Sequence, residues 1–296
     1  MLPLLLLILL SHTRSVKSHQ PQNIFILAGQ SNMAGRGGVT NDTQTNTMVW
    51  DGIVPPQCQP NPSILRLNAK LKWARAHEPL HADIDVNKTN GVGPGMSFAN
   101  AVLTKDPTFG VIGLVPCAIG GTNISEWKKG SFLYQQMVGR TRAALQGGGE
   151  IRGLLWYQGE SDTVSREDAD LYKERSEKFF FDLRSDLQLP MLPIIWVALA
   201  SGQGPYIDIV RKAQLDFDLL NVRSVDAKGL PLEPDWLHLT TPAQVRLGEM
   251  MADAFLQSIP STIKTGPSYS HAQTKFSYSS MIPLFLTSLF IVLNLR

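Results

Sequence analysis

Two cysteines in 296 residues, Cys58 and Cys117, exclude a scaffold built on disulfides. Neither lies in a metal-ligand spacing, so the sequence calls for no metal and no cofactor. The pair leaves open one bridge, which an oxidising compartment would permit, or two buried thiols. Charge is sparse too. Only 18% of residues are charged, and 27 basic against 25 acidic side chains leave a net +2. That balance carries no electrostatic footprint for nucleic acid. The apolar stretch at 281–295 covers 15 residues, short of the roughly 20 that a spanning helix needs. There is no internal repeat. What is present is ordinary globular composition, 43% hydrophobic, enough for one large core.

The two ends differ from the middle. Residues 1–10 are almost all Leu, Ile and Pro, and Val16-Lys17-Ser18 follows with residues suited to cleavage after Ser18. Residues 1–18 read as a secretory signal peptide, although no Lys or Arg precedes the apolar run; an uncleaved anchor is the alternative. Three sequons, at Asn41, Asn87 and Asn123, fit a secreted glycoprotein, although Asn123 lies too close to the Gly120-Gly121 motif to suit a glycan. Residues 261–280 form a polar linker and 281–296 a hydrophobic tail. Small residues, a polar spacer and an apolar end make the pattern of a GPI signal, with Ser268 or Ser270 as the attachment site. A short anchor, or no membrane role, remains open. One domain is expected between, over residues 22–260.

That domain is organised around Ile24-Phe25-Ile26-Leu27-Ala28-Gly29-Gln30-Ser31-Asn32-Met33. An apolar run that stops at a glycine and then a serine reads as a buried strand with a hydroxyl at its carboxyl end. In open α/β sheets ligands bind at that edge. The competing reading is a serine that merely caps a helix. Further strands are expected at 63–67, 111–115, 153–157, 192–199 and 222–225, and a long loop at 40–62. Helices are expected at 96–103, 131–145, 168–187 and 207–220, and from Thr241, which should cap a helix with Pro242 in its first turn and Gln244 closing a capping box. Its packing stripe is Val245, Gly248, Ala252, Phe255 and Ile259. Strands alternating with helices predict an α/β fold, a parallel sheet covered on both faces. Ser31, Gly121 and Gln158, each following a strand, then share one sheet edge.

Asp235-Trp236-Leu237-His238 precedes the last helix. A carboxylate three residues from an imidazole can fix its tautomer and free the other ring nitrogen to take a proton from a serine.

The strand-end serine followed by a late Asp-x-x-His resembles the SGNH, or GDSL-like, hydrolases. Gly29-Gln30-Ser31-Asn32-Met33 and Trp156-Tyr157-Gln158-Gly159-Glu160-Ser161-Asp162 narrow the likeness to the sialate O-acetylesterase-like carbohydrate esterases. Plant members similar to acetyl xylan esterases of carbohydrate esterase family six fit best. The resemblance implies a three-layer, flavodoxin-like domain with a mostly parallel five-stranded sheet. It makes Ser31 the nucleophile, His238 the base and Asp235 its orienting carboxylate. The Ser31 amide, Gly121 and Gln158 become oxyanion donors, Gln158 standing where the wider superfamily has Asn. Gln30, Asn32 and Glu160 are expected as supports or substrate contacts. The implied activity is hydrolysis of O-acetyl esters on a polysaccharide or oligosaccharide of the cell wall, such as xylan, by a secreted monomer. A lipase acting on acyl lipids and a catalytically silent wall-binding module are the alternatives. Trp127, Trp156 and Trp236 are open to two uses, sugar stacking or core packing, with core preferred for Trp156.

Overall fold

The computed structural model describes residues 20–258. The leader, the linker and the apolar tail lie outside them. Strand β1, Asn23–Gly29, is buried from its second residue onward, as expected of a central strand covered on both faces. The four-residue helix α1, Ser31–Ala34, follows at once. Then come β2 (Val39–Asp42), β3 (Thr47–Trp50), β4 (Ile64–Leu67), β5 (Trp73–Arg75), helix α2 (Pro94–Lys105) and β6 (Ile112–Pro116). The second half alternates regularly: α3 (Phe132–Ala144), β7 (Glu150–Tyr157), α4 (Arg166–Leu187), β8 (Ile194–Ala198), α5 (Ile207–Leu215), β9 (Val222–Asp226) and α6 (Thr241–Ser258).

The main sheet has seven strands in the order β5-β4-β6-β1-β7-β8-β9. All neighbours pair in parallel except β4 with β5. The α/β expectation holds, and the strand count rises from five to seven. Two faces are covered. On one, the ring of Phe25 from β1 meets Phe98 of α2 and Phe255 of α6 edge-on, with centroids 4.9 and 4.8 Å away. On the other, Trp156 of β7 packs on Trp127 and on Phe179 of α4, at 5.1 and 4.6 Å. Trp127 and Trp156 are therefore core.

Several local expectations change. The supposed loop at 40–62 contains an antiparallel hairpin, β2 with β3, running from Val39 opposite Trp50 to Asp42 opposite Thr47. Helix α6 is capped one residue earlier than expected: Thr240 Oγ1 accepts from the Ala243 amide. Gln244 does not close a box there, because its side chain donates to the Asn32 carbonyl at 3.1 Å. Val245, Gly248, Ala252 and Phe255 are buried as the stripe requires, and Ile259 falls outside the described residues. Cys58 and Cys117 are both free and buried. Asn41 and Asn87 are exposed, whereas Asn123 takes part in a capping box with Glu126. Among the described residues no helix is long and apolar enough to cross a membrane.

Candidate active site

Three strand ends build the site, those of β1, β6 and β7. Gly29 closes β1 at φ 128°, and a Cβ there would lie 2.0 Å from the Tyr157 carbonyl. Only glycine lets the end of β1 run this close to β7 before the chain turns. The turn presents Ser31 as the first residue of α1.

His238 arrives from the opposite end of the chain on a tight hairpin over 231–240. Its rungs are Glu233 N to His238 O at 2.7 Å and Thr240 N to Pro231 O at 3.1 Å. At the tip, Asp235 Oδ1 accepts from the amides of Leu237 and His238, at 2.9 and 3.0 Å. That leaves Oδ2 for the imidazole, 2.5 Å from His238 Nδ1. The other ring nitrogen, Nε2, stands 2.9 Å from Ser31 Oγ. The three residues singled out in the sequence thus form one continuous chain of hydrogen bonds. Burial pushes the His238 pKa below its usual value, against the pull of Asp235; Arg36 lowers it further. Burial works against ionised Asp235, yet the His238 and Leu237 amides and the His238 ring outweigh it and hold that carboxyl low. The resting pair is therefore a carboxylate beside a neutral imidazole, the state a proton acceptor needs.

Asn32 fastens the hairpin to the serine turn. Its Oδ1 accepts from the Leu239 amide at 2.9 Å and its Nδ2 donates to the Leu237 carbonyl at 3.2 Å. Both neighbours of His238 are thereby gripped by the residue after Ser31. Ser201 Oγ donates to the same Leu237 carbonyl at 2.5 Å. Asn32 Nδ2 also reaches Glu160 Oε1 at 2.8 Å. Glu160 is wholly buried, and desolvation lifts its pKa to about 7, with the Asn32 bond opposing that rise. With no surface exposed, its carboxyl braces the Asn32 side chain.

Gln158 lies elsewhere than expected. It is wholly buried. Its Nε2 donates to the Thr122 carbonyl at 2.8 Å and to Asp162 Oδ2 at 2.6 Å. An amide nitrogen has two hydrogens, and these contacts use both, so nothing is left for an oxyanion. Gln30 sits between the same loops. In one orientation of its amide the oxygen accepts from the Gly159 and Ser161 amides; in the other its nitrogen donates to the Thr122 carbonyl and Glu160 Oε2. Asp162 closes the network by accepting from the Ile124 amide at 3.1 Å, and burial lifts its pKa to about 7. These bonds tie the loop after β6 to the loop after β7.

The donors that remain near Ser31 are backbone ones. Among the described residues the amides of Ser31 and Gly121 have no hydrogen-bond partner. Gly121 is exposed and has φ 78°. Beside it, a Cβ on Gly120 would be 3.5 Å from Ser31 Cβ and 2.6 Å from Arg36 Nη2. Sequence reasoning missed the group that holds this turn. Buried Arg36 pairs with buried Asp85 and donates to Asn90 Oδ1 at 2.9 Å. Asp85 Oδ2 accepts from the Gly120 amide at 3.3 Å. The available signal was the arginine inside the small-residue run Ala34-Gly35-Arg36-Gly37, a charge where apolar packing was expected. A small hollow opens next to His238 and Asp235, also lined by Arg36, Val39, Met48, Lys88 and Thr89. Among the described residues no group of His, Cys, Asp and Glu could hold a metal ion.

The arrangement suits acyl transfer: a serine hydroxyl, a base on it, a carboxylate behind the base and free N–H groups beside the serine. Comparison with known proteins gives the same direction. The model of one family, described as carbohydrate esterase, sialic acid-specific acetylesterase, matches residues 21–257. A probable carbohydrate esterase of Arabidopsis thaliana is 60% identical over 239 residues, which are 80% of this chain and 92% of that protein. A crystal structure of an Arabidopsis thaliana protein superposes with a TM-score of 0.78 at 59% identity, over 80% of this chain and 98% of its own. NanS superposes with a TM-score of 0.65 over 81% and 98% of the two chains. At 19% identity it is a likeness of fold.

Proposed function

We infer, for a chain that belongs to the carbohydrate esterase family of sialic acid-specific acetylesterases, a serine mechanism centred on Ser31. The protein is a carboxylic ester hydrolase, and its family acts on acetylated carbohydrate. Ser31 Oγ attacks the acetyl carbonyl carbon while His238 Nε2 takes the hydroxyl proton. The carbonyl oxygen becomes an oxyanion that accepts from the Ser31 and Gly121 amides. His238 then gives its proton to the sugar oxygen, the ester C–O bond breaks and the alcohol leaves. Water repeats the sequence on the acetyl-enzyme, releasing acetate and restoring the serine. Asp235 stays ionised and steadies the imidazolium. The observation that carries this reading is the unbroken chain from Asp235 Oδ2 through His238 to Ser31 Oγ, at 2.5 and 2.9 Å.

The substrate we favour is O-acetylated cell-wall polysaccharide such as xylan, met outside the cell by a secreted and glycosylated monomer. The support is the plant relative, the apolar leader and the exposed sequons at Asn41 and Asn87. Attachment to a membrane through the tail belongs to the same proposal and rests on sequence alone. Acetate release from a panel of acetylated xylan, pectin and sialic acid tests the substrate. Xylan turned over fastest supports the assignment, and a clear preference for another member replaces it. Longer p-nitrophenyl acyl esters cleaved faster than the acetate would favour a lipase instead.

A further inference from the structure

The hairpin that delivers His238 carries an unexplained residue at its tip. Trp236 lies between Asp235 and His238, and 80% of its surface is exposed, more than any other large apolar side chain among the described residues. Its backbone is left-handed, at φ 57°. A bulky side chain rarely adopts that conformation, and asparagine or glycine would hold it with less strain. The position is fixed, because Trp236 N donates to the Glu233 carbonyl at 2.9 Å and the next two amides are bound by Asp235. The strained backbone and the exposed indole both work against stability, and among the described residues little packing covers the indole to offset them. Trp127, Trp156 and Trp196, by contrast, are wholly buried in the core.

We propose that Trp236 is the carbohydrate platform of the site, its indole stacking on a pyranose ring of the ester bound at Ser31. The proposal rests on the serine-esterase reading above. An acetyl group on a sugar hydroxyl is short, so the ring that bears it stays close to the serine. Trp236 is two residues from His238, and successive Cα atoms are about 3.8 Å apart, so its backbone runs beside the place where that ring must sit. The C–H groups on a pyranose face carry partial positive charge and pack on the electron-rich face of an indole, while the hydroxyls at the rim stay in water. Exposed Met48, on the wall of the hollow beside His238, offers a second apolar contact to the same ring.

The test uses Trp236→Asn, which suits the left-handed backbone, and Trp236→Tyr, which keeps an aromatic face. For each, kcat/KM is measured on xylose tetraacetate and on ethyl acetate, an ester with no sugar, alongside thermal melts. In Trp236→Asn the ratio of the two should fall on the order of tenfold, and in Trp236→Tyr most of it should remain. Tm should not fall in Trp236→Asn, whereas removal of a merely structural tryptophan would lower it. An unchanged ratio in Trp236→Asn, or an equal loss in Trp236→Tyr, overturns the platform. Failure of the serine reading is seen separately, as wild-type activity in Ser31→Ala.

Discussion

Asn32 and Glu160 meet at 2.8 Å, Nδ2 to Oε1, with neither side chain reaching solvent. One residue after the serine is thus anchored below by a carboxylate and above by both neighbours of His238. The segment that carries His238 is held by Asn32 as well as by Asp235.

Replacing Asn32 with Ala frees the Leu237 carbonyl and the Leu239 amide, and the imidazole loses its fixed distance from Ser31. Displacement of a catalytic group by about 1 Å costs on the order of 100-fold. We expect kcat for acetate release to fall 10- to 100-fold with KM little changed. Steady-state kinetics per titrated site check this; a normal kcat means that Asp235 alone positions the ring.

Glu160 makes stability depend on pH. Its carboxyl has a pKa of about 7 in the folded protein, against the ordinary value of 4.5. The folded state therefore holds the proton more tightly than the unfolded chain. Its contribution is complete below the unfolded value and is lost as pH rises through about 7. Glu160→Gln should remove that part of the decline, on the order of 1–3 kcal/mol between acidic and neutral pH. Urea melts at pH 4.5 and pH 8 for both proteins measure it, and equal slopes in the two would refute the buried-carboxyl account.

For His238 the shift runs the other way. Burial holds its pKa below 6.5, so kcat/KM should stay level on acidification until the pH is below that value and only then decline. Asp235→Asn removes the charge that favours the imidazolium. The inflection should move to still lower pH while kcat drops on the order of 10²–10⁴-fold. An inflection above 6.5 in the wild type contradicts the burial argument.

Gln158 serves as a structural test. With both amide hydrogens on Thr122 and Asp162, Gln158→Ala should lower Tm, while kcat per titrated site stays within a fewfold of wild type. Leaving buried acceptors unpaired costs about 1–3 kcal/mol. A 10²–10³-fold fall in kcat at unchanged Tm is the signature of a lost oxyanion donor and would return Gln158 to that role.

The sequence made legible what is local along the chain. Ser31 at a strand end, the Asp235–His238 spacing and the alternation of strands and helices are all short-range patterns, and all appear in the structure. The hairpin of β2 and β3 was hidden because its strands lie mostly in water and lack the alternation that betrays a half-buried strand. Strand β5 is three residues on a sheet edge, too short to show a period. The partners of Gln158 depend on loops 36 residues apart in sequence, so its type and position suggested a donor while its surroundings made it a brace. Likewise Arg36 and Asp85 meet across 49 residues, and nothing in either segment announces the other.

The most direct test of the account is the covalent intermediate. Wild-type enzyme mixed with a large excess of p-nitrophenyl acetate, quenched in acid and digested, is examined by mass spectrometry. We predict the mass of one acetyl group on the peptide containing Ser31, absent in Ser31→Ala, whose acetate release should be at background. Full turnover by Ser31→Ala, or an acetyl group carried by a different residue, would contradict the mechanism.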